Sequence, residues 1–240
     1  MGYYYGYGFD FTNPYNLIGL ILLVVGTVII IIAQAKVSSS YNKYAKIQTS
    51  GNFTGLQVAR EILDSHGLQD VTILETKGRL SDHYNPKNKT VNLSHDIYQG
   101  TSLAAVAIAA HECGHAIQHK EGYRPLVFRN TILPFCNVGQ FLGMIAIFIG
   151  LFIGNMTFAW IGVVLMMGIL LFQVATLPVE FDASARALSI LDKYYLQTEE
   201  YNGAKSMLSA AAFTYVAALL ATLLSLLRII LISMGNSRRD

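Results

Sequence analysis

Four apolar runs decide what this 240-residue chain can become: residues 17–35, 132–153, 158–177 and 210–233. A helix of about twenty apolar residues crosses the hydrocarbon core of a bilayer, and each run reaches that length. The first three contain no Asp, Glu, Lys or Arg. The fourth contains Arg228, five residues from its end and within snorkelling reach of an interface. A composition of 53% hydrophobic and 13% charged residues points the same way, to a multi-pass membrane protein in contact with a lipid bilayer. A net charge of +2 with scattered basic residues excludes a nucleic-acid-binding stripe. Two cysteines, Cys113 and Cys136, make no disulfide framework and fit a reducing compartment.

Residues 1–16 are rich in Tyr and Gly and lack Lys and Arg, as expected of an interfacial tail. The run at 17–35 reads as an uncleaved anchor rather than a signal peptide, because no basic segment precedes it and Lys36, Lys43 and Lys46 follow it. The same asymmetry predicts an N-terminus outside the inner (cell) membrane and residues 36–130 in the cytoplasm. Runs 132–153 and 158–177 form a hairpin with a four-residue link, which brings residues 178–209 back to the side that the chain left. Asn137 and Gln140 in its first arm are expected to face a helix partner or the catalytic side rather than lipid. A fourth span at 210–233 would leave Arg238 and Arg239 outside, against the charge rule.

Residues 36–130 hold eleven of the seventeen basic residues and have soluble character. Thr54–His66 is predicted as an amphipathic helix with a Thr54/Gln57 capping box and Gly67 as its stop. Residues 71–74, 79–84 and 90–93 read as short strands, the last two joined by the turn Asn85-Pro86-Lys87-Asn88. A small antiparallel sheet is expected, with an edge on which an extended peptide could pair.

Within this region lies His111-Glu112-Cys113-Gly114-His115, led into by Gly100-Thr101-Ser102 and an Ala-rich run from Leu103 to Ala110. Two histidines four apart on a helix project from one face, where both can bind one Zn²⁺. Glu112 then stands beside an open coordination position as general base. Cys113, about 160° from His115 around the helix, cannot readily close that position. A third protein ligand is required. The pattern HExxHxxGxxH is excluded, since Gln118 occupies the glycine position and Glu121 the third-histidine position. Glu121 would be carried away from the metal by its helix. Glu180, just after the hairpin, is the best-placed carboxylate; its competing reading is an acid in the first turn of a helix beginning at Pro178, favoured by the helix dipole. Oxyanion donors are sought among His83, Tyr84, Tyr194, Tyr195 and Tyr215. The rival to a hydrolase is a non-proteolytic membrane protein in which zinc is structural.

The runs LSDHYNPKNKTVNLS, IAAHECGHAIQH and LPVEFDASARAL, in this order and with two apolar runs between the second and third, resemble the YugP-like neutral zinc metallopeptidases of bacteria. The chain is more distantly similar to HtpX and the CaaX prenyl endopeptidases, whose third zinc ligand is the Glu of an ExxxD segment after a membrane hairpin. The resemblance implies a mainly α protein: membrane helices with a small α+β, zincin-like (gluzincin) catalytic domain. It implies a zinc metalloendopeptidase acting on proteins or peptides at or near the membrane, with membrane-protein quality control as one setting. His111, His115 and Glu180 would be the ligands and Glu112 the catalytic base. Ser184 stands where the Asp of ExxxD would be, and Asp182 lies two residues earlier.

Overall fold

The structure is a computed structural model describing residues 13–153 and 155–236; most of the Tyr/Gly-rich tail, Arg238 and Arg239 lie outside the described residues. The order of elements is α1 (Pro14–Tyr44), α2 (Gly55–Ser65), β1 (Thr72–Thr76), β2 (His83–Asn85), β3 (Thr90–Ser94), α3 (His95–Tyr98), α4 (Leu103–Lys120), α5 (Arg124–Ile153), α6 (Met156–Tyr194) and α7 (Thr198–Asn236). The chain is therefore mainly helical. Its four long helices, α1, α5, α6 and α7, contain the four apolar runs and are each long and apolar enough to cross a membrane.

The chain divides into two compact units, and each long helix contributes to both. The described residues of the first unit fall within 13–32, 135–171 and 217–236. Within it α5 and α6 approach through small residues. A Cβ added at Gly162 would lie 2.5 Å from the Gly143 carbonyl oxygen, and one at Gly143 would lie 2.8 Å from that of Gly162. Cys136 Sγ, one turn before Gly139 on the same face, contacts Gly168 O at 3.1 Å. Small residues suit this face because dispersion between close backbones, not expulsion of water, drives helix association in lipid. Asn137 and Gln140 do not take the partner-facing role expected of them. Both are exposed, because the face that packs on α6 belongs to Cys136, Gly139 and Gly143.

The second unit, residues 33–134 and 172–216, holds the conventional core. Helix α2 forms as its sequence dictates. Thr54 Oγ1 accepts the Gln57 N–H at 3.2 Å, Gln57 Oε1 accepts the Thr54 N–H at 2.8 Å, and Gly67 at φ +65° ends the helix in a conformation that favours glycine. Its buried face of Val58, Ala59, Ile62 and Leu63 packs on α4. The sheet is mixed rather than antiparallel. Its order is β1-β3-β2, with β1 parallel to β3 and β2 antiparallel to it, because β3 inserts between the two earlier strands. The second strand is also shorter than predicted, beginning at His83 after Leu80 at φ +57°.

Helix α6 departs most from expectation. Pro178 does not start a helix but lies inside one that runs from Met156 to Tyr194. An interior proline forfeits one i→i−4 bond, here to the Val174 carbonyl. The surrounding helix continues regardless, with Val179, Ala183, Ala187 and Leu191 all fully buried on one face. Glu180 is thus a mid-helix residue, and the helix-dipole reading of it falls away.

Replacing Gly162 by Leu is expected to lower the thermal midpoint in detergent by an overpacking penalty of at least about 1–3 kcal/mol, whereas Phe152→Leu, at a residue 89% exposed, should leave it unchanged. Equal midpoints for the two variants would show that the α5–α6 contact is dispensable.

Candidate metal centre

Helix α4 carries the motif, and its surroundings explain which residues are available. Ser102 Oγ caps it by accepting the Ala105 N–H at 3.2 Å. From Leu103 to Gln118 every residue is buried except Ile108, His111 and His115, which lie at i, i+3 and i+7 and so form one stripe. The two histidines are therefore on the single open face of an otherwise enclosed helix. Cys113 points the other way: its Sγ contacts the Ala59 carbonyl oxygen of α2 at 3.6 Å, and burial pushes its thiol far above the usual range. A thiol so placed is neither nucleophile nor ligand.

Helix α6 supplies the third donor. A Cβ added at Gly114 would lie 2.7 Å from the Ala183 carbonyl oxygen, so glycine at this position lets the two backbones approach. Across that contact Glu180 Oε2 stands 3.5 Å from His111 Nε2 and 3.6 Å from His115 Nε2. One donor atom from each of the three residues lies within 4.8 Å of the others. These separations are too long for good hydrogen bonds, which fall near 2.7–3.2 Å. They suit a shared ion, because donors at ~2.1 Å from a tetrahedral zinc stand ~3.4 Å apart. The donor set of two imidazoles and one carboxylate fits zinc.

Glu180 is 5% exposed, and a bare carboxylate so buried would be costly. Arg129 Nη1 lies 3.3 Å from Glu180 Oε1, which leaves Oε2 for the histidine side. Around the three donors, His111 Nδ1 meets Ser184 Oγ at 3.2 Å and His115 Nδ1 meets Gln118 Oε1 at 3.0 Å. Asp182 faces away from the cluster and pairs with Arg186 at 2.6 Å, while Glu121 also pairs with Arg186, at 2.7 Å.

The cluster opens into a cavity of about 180 Å³. Glu112 lines it, with Asp82, His83, Tyr84 and Pro86 from β2 and its flanks, Leu126 and Arg129 from α5, and Tyr215 from α7. Of the five oxyanion candidates, His83, Tyr84 and Tyr215 reach this cavity. Tyr194 is 64% exposed elsewhere, and Tyr195 donates to Glu61 at 2.7 Å. A second cavity, about 500 Å³, lies where α4 begins, between Lys46, Arg79 and Asp96. Among the described residues it holds no metal-donating trio.

Sequence reasoning missed Gln118 and Arg129. The first was legible in part, since it follows His115 by three residues and so shares its side of the helix. For Arg129 no local pattern exists; only the packing of α5 against α6 brings it to Glu180.

This arrangement has the donor set of a zinc hydrolase, and comparison with known proteins agrees. The chain belongs to the family described as "Putative neutral zinc metallopeptidase", which it matches over residues 19–234. It is 42% identical over 205 residues to a Bacillus subtilis protein named "Putative membrane protease YugP", covering 85% of this chain and 91% of that one. No solved structure matches it.

Because Gly114 sets the distance between α4 and α6, Gly114→Val should reduce bound zinc to well below one per chain and cost about 1–3 kcal/mol from overpacking. Metal analysis and thermal denaturation of the purified variant check this; undiminished zinc would mean that the close approach does not control the site.

Proposed function

We propose that the protein is a membrane-bound zinc metalloendopeptidase that hydrolyses peptide bonds of protein segments at or near the bilayer. The observation that carries this reading is the convergence of His111, His115 and Glu180 at zinc-like separations, with Glu112 lining the same cavity. When bound, zinc supplies a Lewis acid for the peptide carbonyl and lowers the pKa of water. Glu112, next in sequence to His111, takes a proton from the attacking water and returns it to the departing amine. Arg129 holds Glu180 by its outer oxygen, so the carboxylate presents one oxygen inward. The cavity is bordered by β2, an edge strand paired with β3 on one side among the described residues. An extended substrate can add there as a further strand and be led past Glu112. A purely structural zinc would require a fourth protein donor, and Cys113, turned towards α2, does not provide one.

Three variants test the chemistry. Glu112→Gln should keep about one zinc per chain while cleavage of an unfolded membrane-protein substrate falls by roughly 10² to 10⁴-fold. Glu180→Ala should lose zinc and activity together, whereas Asp182→Ala should retain activity better than Glu180→Ala. Full activity in Glu112→Gln would remove the mechanism, and zinc lost from Asp182→Ala but not from Glu180→Ala would transfer the ligand role.

We further propose that the peptidase unit faces the cytoplasm, on the strength of Lys36, Lys43 and Lys46 following the first apolar run. A cysteine introduced at position 155 should react with an impermeant reagent applied from outside, and cysteines at positions 43 and 120 should be protected. The opposite labelling pattern would invert the topology.

A further inference from the structure

We propose that Gln118 is a positioning residue that fixes the tautomer of His115, turning its Nε2 lone pair to the metal position. The inference rests on the zinc reading above. Gln118 is fully buried, and its amide nitrogen donates to Val179 O and to Asp182 Oδ2, each at 2.8 Å. Both partners are acceptors: one is a carbonyl, and the other is a carboxylate whose same oxygen receives Arg186 Nε at 2.6 Å. Flipping the amide would set its oxygen against two acceptors, so the orientation is determined by its surroundings. Gln118 Oε1 therefore faces His115 Nδ1 at 3.0 Å, and an amide oxygen there requires the ring to carry its proton on Nδ1. The other nitrogen, Nε2, is left free on the side of Glu180 Oε2.

His111 is held differently. Its Nδ1 meets Ser184 Oγ, a hydroxyl that can either donate or accept and so does not select a tautomer by itself. Asp182 thus acts on the site at one remove, through the amide of Gln118, and Arg186 anchors it in turn with Glu121. Groups that orient a metal-bound histidine in this way typically account for 10- to 100-fold in metal affinity.

The test uses the full chain in detergent, with zinc affinity measured by competition with a chromogenic chelator. Gln118→Met should weaken zinc binding by about 10- to 100-fold. Gln118→Glu should also bind weakly, because it sets a carboxylate oxygen against the Val179 carbonyl and the Asp182 carboxylate, both acceptors. Histidine-selective ¹⁵N NMR of the zinc-free, unaltered chain at alkaline pH should find the His115 proton on Nδ1. Zinc affinity unchanged in a folded Gln118→Met variant, or a His115 proton on Nε2, would overturn the proposal. Failure of the unaltered chain to bind zinc would sink the zinc reading instead, and the NMR measurement would still decide the role of Gln118.

Discussion

The contact on which the site depends is the backbone approach of α4 to α6 at Gly114 and Ala183. A donor on α6 can reach the histidine stripe of α4 only if the helices touch more closely than side chains larger than hydrogen allow. The small residues along both helices, Ala107 and Ala110 on one and Ala183 and Ala187 on the other, are all fully buried and suit the same requirement. Helix propensity alone would account for alanine at these positions, but it would not account for glycine between the two histidines, which costs about 1 kcal/mol relative to alanine within a helix. That cost is offset by the geometry it permits.

A buried carboxylate is the second constraint. Glu180 meets Arg129 on one oxygen and faces two imidazoles on the other, so the guanidinium compensates its charge on one side and a cation shared with the imidazoles would do so on the other. Removing a positive partner from such a group is more damaging than exchanging the whole set for apolar residues, because an uncompensated charge remains. Arg129 consequently belongs to the metal centre in an energetic sense, although a guanidinium is no zinc ligand.

Much of this was legible in the sequence, and the successes share a cause. The capping box at Thr54 and Gln57, the stop at Gly67, the Ser102 cap and the histidine stripe depend on residues within one or two helical turns of each other, where spacing alone fixes geometry. The convergence of Glu180 with His111 and His115 was also expected, from the hairpin and from the family resemblance. What escaped was set by tertiary packing. Pro178 reads locally as a helix start, yet the burial of Val179, Ala183, Ala187 and Leu191 keeps α6 continuous through it. The insertion of β3 between β1 and β2 leaves no local trace, because a parallel partner and an antiparallel one demand the same alternation. Asn137 and Gln140 were expected by polarity to face a helix partner or the catalytic side, yet both are exposed and small residues occupy the face towards α6.

The position of Glu180 also governs the order in which the protein can be assembled. His111 and His115 leave the ribosome sixty-five or more residues ahead of the carboxylate that completes their set, with both arms of the α5–α6 hairpin in between. A nascent chain that has not yet made α6 offers a metal two imidazoles and water, a weak and undemanding site. Once the hairpin has formed, metal capture closes a long loop whose entropic cost the folded helices have already met. Completion of the three-donor set is thereby tied to completed folding.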